Sequence, residues 1–505
     1  MRRAPLLLQG LARRHHRRAE QCQLLGAGWR GAAASADGGA PPTHHHVRVG
    51  EEAREKDPFI GGYTPVTKAL WRSRLNWDSA SAAPSSSSPR AVVVTLPFSR
   101  DAELRDTYAN PWSRARMGRL LEDLDSLSGT AAFAHVAAAL GSSSDPSTPS
   151  TPPPQLVTAS VDAIHLARPL RLDRDLRMCG RVVWTGSSSL DVRMEVTQGS
   201  EEGGKPSSPS LVALFSYVAL DRATRKPVRV PALAPSTDDE RRWFEERQLV
   251  ADARRRQRQR EKEGAAGVAA QQQQQQQQQA SDEQQQRQQQ QKAALLMRRL
   301  SAAAARLADL PALSPPRLLP VSLTRVDNAL VTQPQHRNTA GRVFGGFLMR
   351  RAFELSFAAA FLFAGCRPAF MRCDDVSFSA PVDVGDLMRF SARVLAAWKA
   401  PPEEVEASLE DDDDGAAAVS PPAPPAFLVA VEAVAERARP DRREVSTTNT
   451  FRYVFRVRPT SALRVPIPTT AEDAQRVAAV LAELSEEDLE AVEAALDSAE
   501  SGGGG

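Results

Sequence analysis

Cysteine is nearly absent: Cys22, Cys179, Cys366 and Cys373 are the only four in 505 residues, with no CxxC pair and no metal-ligand spacing. That excludes a disulfide framework and a structural zinc site, and it fits buried free thiols in a reducing compartment. Long apolar runs are missing as well. The richest, Phe357 to Ala364, falls far short of the roughly 18–20 residues a membrane span needs, so a soluble chain is expected. Nor is there a surplus of one charge. A net charge of +3 argues against a dedicated nucleic-acid binder, whose folded part carries a basic excess.

Acidic residues are scarce at the start of the chain. From Met1 to Ala36 the sole acid is Glu20, while Arg2, Arg3, Arg13, Arg14, Arg17, Arg18 and Arg30 are spread among Leu and Ala. An Arg-rich, acid-poor leader is the pattern of an organellar transit peptide, here residues 1–40. Its preference for Arg over Ser favours the mitochondrial matrix, with the plastid as the alternative.

A hydrophobic fraction of 42% supports real cores, yet 37 prolines and several one-letter runs mean that part of the chain cannot fold. Ser142–Pro154, the charged and polyglutamine stretch Arg254–Lys292, the acidic and proline-rich Pro401–Pro425, and Ser501–Gly505 bury too little apolar surface to offset their ordering entropy. The expected organisation is a domain over 90–245, a Gln-rich low-complexity linker over 246–315, and a second domain over 316–460 interrupted by the 401–425 insert. An acidic amphipathic helix over 470–498, carrying Val477, Val480, Leu481 and Leu484, reads as a surface appendage. The run His44–His46 has no metal partners at useful spacing and reads as linker.

The two blocks repeat each other. Each opens on a β-rich run, Ala91–Leu96 and Leu319–Val326, followed by a helix from about Met117 and from about Gly346. Alternating segments follow, "VDAIHLARPLRL" and "DDVSFSAPVDV", and then further strand-like runs: Gly180–Val196 and Leu211–Leu220 in the first block, Leu387–Trp398, Ala426–Glu436 and Thr447–Val457 in the second. A lone helix followed by a meander must be wrapped by the sheet if both are to bury their apolar faces. The class is α+β: two fused hotdog domains, each an antiparallel sheet wrapped around a long central helix. The second helix, "GGFLMRRAFELSFAAAFLFAG", is apolar around most of its circumference, as such packing requires.

Two segments carry candidate chemistry. In "HRNTAGRVFGGF", Gly345 and Gly346 sit where a loop becomes a helix; glycine permits φ > 0 there and lets a ligand approach the backbone. The unpaired N–H groups of a helix start favour a carbonyl oxygen gaining negative charge, and Asn338 just upstream offers an amide to orient a carbonyl or a water. In "MGRLLEDLDSLSG", Met117, Leu120, Leu121 and Leu124 form one stripe at ~100° per residue. Asp125 falls at its edge beside Ser128, whereas Glu122 and Asp123 are expected to face water. A carboxylate aimed at a buried seam needs a partner or a task.

These two segments, together with the stretch that runs from Gly345 through "CRPAFMRCDDVSFSAPVDVGDLMRFSARV", resemble the double-hotdog acyl-CoA thioesterases, and among them the mitochondrial type 9 acyl-coenzyme A thioesterases. The resemblance covers roughly 90–245 and 316–460. It implies a catalytic pair of an Asn in the loop before one domain's Gly-Gly helix and an Asp within the other domain's helix, which match Asn338 and Asp125 here. It implies hydrolysis of acyl-CoA to fatty acid and coenzyme A at one composite site, with Asp125 as general base or nucleophile. It further implies no cofactor beyond the coenzyme A of the substrate, no metal, and a homotrimer of two-domain chains.

The pseudo-symmetric counterpart around "ANPWSRAR" has no Gly-Gly, and Glu354 lies one residue further from its glycine than Asp125 does from Gly118, so a single working site per chain is expected. His336, Arg342, Arg350 and Arg351 are candidates for contacts with the coenzyme and its phosphates. Two other readings are open. A hotdog hydratase or dehydratase would need an acid–base pair, commonly with histidine, and His336 is the sole histidine near either motif. An inactive acyl-CoA-binding scaffold would have no need to keep both Asp125 and Asn338.

Overall fold

The computed structural model describes residues 44–47, 62–75, 91–140, 153–198, 208–263, 276–401 and 425–501. The leader 1–40 with Cys22, residues 142–152 of the Ser/Thr/Pro segment, residues 402–424 of the insert and the tail from 502 lie outside them.

In chain order the first half comprises strand β1 (His44–Val47), helix α1 (Pro65–Leu75), β2 (Ala91–Leu96), α2 (Ala102–Tyr108), α3 (Met117–Leu140), β3 (Gln155–Leu166), β4 (Leu176–Thr185), β5 (Ser189–Gln198), β6 (Leu211–Leu220) and α4 (Asp238–Glu263). The second comprises α5 (Gln276–Asp309), β7 (Leu318–Pro320), β8 (Val326–Val331), α6 (Gly345–Ala364), β9 (Ala369–Phe378), β10 (Leu387–Lys399), β11 (Phe427–Arg439), β12 (Glu444–Val457), β13 (Val465–Ile467), α7 (Ala471–Leu481) and α8 (Glu486–Ser501).

The two halves share one eleven-stranded sheet, ordered β1-β2-β4-β5-β6-β3-β9-β12-β11-β10-β8. The junction is the antiparallel pair β3–β9, where Val161 faces Val376 and Ile164 faces Cys373. Within each half the sheet is antiparallel apart from β1, which runs parallel to β2, and it curls around one central helix, α3 or α6. Inward residues of both sheets (Val92, Val94, Met178, Phe215, Phe390, Val431, Phe451, Phe455) and the helices form one core. The hotdog expectation and both helix starts agree with this.

Several expectations need correction. Glu122 and Asp123 do not face water; both are fully buried. The helix has no solvent side because α6 packs on one flank and α1 on another. Asp123 accepts hydrogen bonds from Thr64, from Thr67 at 2.7 Å and from Tyr108. Glu122 pairs with Arg350 at 3.0 Å and Arg119 at 3.5 Å. The run His44–His46 is not linker but part of edge strand β1. The glutamine stretch is helical over its described residues: α4 reaches Glu263 and α5 begins at Gln276. Nor is 470–498 a surface appendage. It forms α7 and α8, which with α5 cover the outer face of the second sheet. That face is apolar, presenting Leu395, Trp398, Leu428 and Val454, so it must be covered; Leu296, Leu300, Val477, Leu481, Leu489 and Leu496 do so. On the first half Arg247 of α4 lies buried between Asp162 (2.8 Å) and Asp191 (2.7 Å), tying that helix to the outer face.

Candidate active site

The loop before α6 is built around Asn338. Its Oδ1 accepts from the N–H of Ala340 (2.9 Å) and of Arg342 (3.2 Å), while its own N–H donates to the Arg342 carbonyl at 2.6 Å. The reversal needs a left-handed residue, and Gly341 supplies it at φ 82°. The same loop exists in the first half: Asn110 Oδ1 accepts from Trp112 and Arg114, both at 3.0 Å, and Ser113 takes the left-handed position at φ 57°. One interval of 228 residues relates the loops, the helix starts Met117 and Gly345, and Glu122 and Arg350. The repeat is therefore in register through loop and helix.

Helix α6 starts without a cap of its own. Phe344 stands at the N-cap position and offers no side-chain acceptor. The nearest acceptor comes from the other half: the Asp125 carboxylate lies against this helix end, close enough to the Gly346 N–H for that dipole to favour its anion. A Cβ placed on Gly345 would lie 3.1 Å from Asp125 Oδ2 and 3.1 Å from the Phe378 ring. One on Gly346 would lie 2.7 Å from the Phe344 ring and 3.0 Å from the Glu122 carbonyl. Neither glycine takes the positive φ open to it; of the two uses the sequence suggested, the one they serve is room for close approach. The need for φ > 0 falls on Gly341 instead.

Asp125 is 4% exposed. Its Oδ1 faces the hydroxyls of Thr158 on β3 (3.4 Å) and Tyr217 on β6 (3.5 Å); Ser128 holds the Tyr217 hydroxyl at 2.6 Å. Burial pushes the Asp125 carboxyl up to about 6, opposed by the Gly346 N–H, the Arg74 cation and the two hydroxyls. At neutral pH it is an anion with a basicity suited to proton abstraction.

Asn338 and Asp125 do not touch. Asn338 bonds within its own loop, and among the described residues its amide nitrogen has no hydrogen-bond partner. They flank the same helix end, however. The loop feeds into α6 through Phe344 N–H donating to the His336 carbonyl at 2.9 Å, and Asp125 closes the helix from the other side.

In the other pseudo-equivalent place, at the start of α3, the position matching Asp125 is Phe353, buried in a cluster with Phe370, Tyr453 and Phe455. Glu354 turns instead to Arg116 at 2.7 Å.

The remaining candidates are dispersed. Arg350 is committed to Glu122 and lies over the Phe347 ring. Arg342 reaches Asp383 at 3.6 Å on the surface, and Arg351 reaches Asn328 at 3.0 Å. His336 stacks on Phe347 with centroids 4.1 Å apart, and its Nδ1 accepts from the Gln333 N–H. Cys373 is buried and Cys366 half-buried. Thr158 and Tyr217 were not anticipated. The signal for Tyr217 was present, since a tyrosine inside the apolar run "LVALFSYVAL" must find a partner for its hydroxyl. Thr158 sits beside an irregularity in the β3–β6 pairing, which cannot be read from residue types.

Among known proteins, the sequence profile described as Thioesterase superfamily matches residues 129–205. Acyl-coenzyme A thioesterase 2, chloroplastic, of Humulus lupulus is 34% identical over 435 residues, which are 82% of this chain and 87% of that protein. The chain belongs to the acyl-coenzyme A thioesterases. Within this family, acyl-coenzyme A thioesterase 4, mitochondrial, of Humulus lupulus is 34% identical over 86% of this chain and 77% of its own length. Acyl-coenzyme A thioesterase 9, mitochondrial, of Homo sapiens is 30% identical over 60% of this chain and 62% of its own. A profile of the Mastermind-like protein 2 transcriptional activation domain also matches, over 247–320, where the glutamine tract dominates. In this thioesterase that span contains Leu296, Leu300 and Ala303, which belong to the core beneath the second sheet. Among the described residues no cluster of His, Cys, Asp or Glu could hold a metal ion, and no helix is long and apolar enough to cross a membrane.

Proposed function

We propose that this chain hydrolyses acyl-coenzyme A thioesters at the start of α6, with Asp125 as general base and Asn338 as donor to the thioester carbonyl. The observation that carries the reading is the Asp125 carboxylate of the first half lying on the uncapped helix end of the second. A water beside Asp125 gives up a proton to the carboxylate as its oxygen attacks the carbonyl carbon. The negative charge then on the carbonyl oxygen is stabilised by the helix end and by Asn338 Nδ2. Collapse breaks the carbon–sulfur bond, and the departing thiolate recovers the proton from Asp125. The products are the fatty acid and coenzyme A, with no cofactor consumed.

The base role is favoured over direct attack because the carboxyl is pushed up to about 6 by burial, a proton affinity suited to abstraction, while the Thr158 and Tyr217 hydroxyls face it at 3.4 and 3.5 Å. Hydroxylamine, which captures mixed anhydrides, is expected to leave Asp125 unmodified during turnover.

One working site per chain follows from Phe353 standing where the second carboxylate would be. His336 and Arg342, at the rim of the Asn338 loop, are the contacts proposed for the coenzyme; Arg350 is assigned to structure, since Glu122 occupies it. The domain division is 90–245 and 316–460, with α5, α7 and α8 added to the second unit. A homotrimer in the mitochondrial matrix is proposed. Exposed Leu323, and Val331 at the end of edge strand β8, together with an edge that no other described strand pairs, favour self-association.

The test is release of free thiol from acyl-CoAs of graded chain length by the full chain. Expected is turnover of at least one length without added metal or nucleotide. Loss of enoyl absorbance from a 2-enoyl-CoA, with no thiol released from any substrate, would instead make the protein a hydratase.

A further inference from the structure

Helix α1 lies ahead of both repeats in the chain and belongs to neither, yet it and the residues before it contact the Asn338 loop, the start of α6 and the helix that carries Asp125. Tyr63 donates its hydroxyl to the Arg337 carbonyl in the Asn338 loop, and the rings of Tyr63 and Trp71 pack edge-on against Phe344 at the start of α6. Thr64 and Thr67 hold Asp123, two residues before Asp125. At the far end Arg74 turns onto α3. Its Nη2 donates to the Ser126 carbonyl at 2.5 Å and its Nε to Thr130 Oγ1 at 2.8 Å.

Arg74 passes over Gly129 so closely that a Cβ there would lie 2.8 Å from Nη2; the same point is 3.4 Å from the Tyr217 hydroxyl. The guanidinium and the tyrosine that touches Asp125 thus meet on one glycine. Among the described residues Arg74 makes no ion pair, and the carboxylate whose charge it feels is Asp125. A half-buried cation with no contacting counter-ion among the described residues gains little of the attraction that would offset its lost hydration. Neutral side chains could fill the space and bond the same carbonyl. What they could not supply is positive charge beside the turn that carries Asp125.

We propose that Arg74 is a positioning residue for the reaction: it fixes the helical turn bearing Asp125 and balances the charge of that carboxylate. The inference rests on the reading of Asp125 as the base. The groups facing Asp125 are Arg74 from α1, Tyr217 from β6, Thr158 from β3, the Gly346 N–H from α6 and Ser128 from its own helix. Arg74 is the only permanent charge among them, and the Tyr217 phenol is pushed up by burial and by Asp125, so it stays neutral.

The experiment is the pH profile of kcat/KM for thiol release by the full chain, comparing wild type with Arg74→Met, Arg74→Gln, Arg74→Lys and Asp125→Asn. The neutral variants are expected to move the acidic limb upward by about one pH unit, the shift a nearby opposite charge produces. The loss is then greatest near pH 6 and small at pH 8.5. Arg74→Lys keeps the charge and should hold the limb near its wild-type position. Folded neutral variants with an unmoved limb, while Asp125→Asn is inactive, would overturn the assignment of Arg74. An active Asp125→Asn would instead remove the base on which it rests. Should both neutral variants fail to fold, Thr130→Val frees Nε from its anchor; a smaller upward shift is expected there, and an unmoved limb would again overturn the proposal.

Discussion

Glu122 and Arg350 stand 228 residues apart, occupy the same position in the two repeats, and are ion-paired to each other at 3.0 Å. The contact places them where the two central helices cross. Opposite charges at matching positions of the two repeats form a salt bridge there, which ties the two helices in one register.

Removing the cation should expose the cost of burying that carboxylate. Burial pushes Glu122 up to about 7, with Arg350 working against the shift. A carboxyl raised in the folded state binds protons more tightly there than when unfolded, so its ionisation costs stability as pH rises from about 4.5 through 7. Arg350→Met is therefore expected to lose roughly 3 kcal/mol at pH 8 and clearly less at pH 5, where Glu122 is protonated. Urea unfolding at the two pH values measures this, and an equal loss at both would contradict it.

Asn338 serves the loop through its oxygen and, in the proposed mechanism, the substrate through its nitrogen. Asn338→Asp keeps the acceptor for Ala340 and Arg342 and removes the donor. Its unfolding midpoint should stay close to wild type, while kcat falls by about 100-fold or more, the usual effect of losing one such donor. Asn338→Ala should lose both.

Gly345→Ala puts a methyl group against Asp125 Oδ2 and Phe378. Alanine is the better helix former by ~1 kcal/mol, which offsets the crowding in stability. The carboxylate or the Phe378 ring has to give by a few tenths of an ångström, and kcat is expected to fall by about 10-fold, less than a full 1 Å misplacement costs. Thermal unfolding and kcat measured on the same preparation separate the two effects.

The reaction itself should titrate. With Asp125 pushed up to about 6 and active as the anion, kcat/KM should rise through pH 6 with unit slope and level off above it. A limb near pH 4 would mean that the base is an exposed carboxylate.

Much of this was legible beforehand, for identifiable reasons. The starts of α3 and α6 are marked by residues that stand out against apolar runs, and Asp125 stands out because it lies at the edge of a stripe. Glu122 and Asp123 were misread because the elements covering them, α6 and the segment 62–75, come from elsewhere in the chain; periodicity within a helix says which residues share a face, not what covers it. The same limit hid α7 and α8. Their acidic faces suggested solvent, but those faces pair with α5 through contacts such as Arg299 to Glu493 at 2.8 Å, while their apolar faces close the core. Arg74 carried no signal in sequence at all, since its importance is set by the glycine it crosses on another helix.

The central claim is that the carboxylate on α3 performs chemistry at the start of α6. Asp125→Asn keeps the side chain's size and acceptor while removing its charge, so thiol release by this variant, alongside binding of a non-hydrolysable acyl-CoA analogue, tests it most directly. The account predicts unchanged folding, retained binding at one site per chain, and turnover reduced by about 1000-fold or more. Turnover within a few-fold of wild type would contradict it.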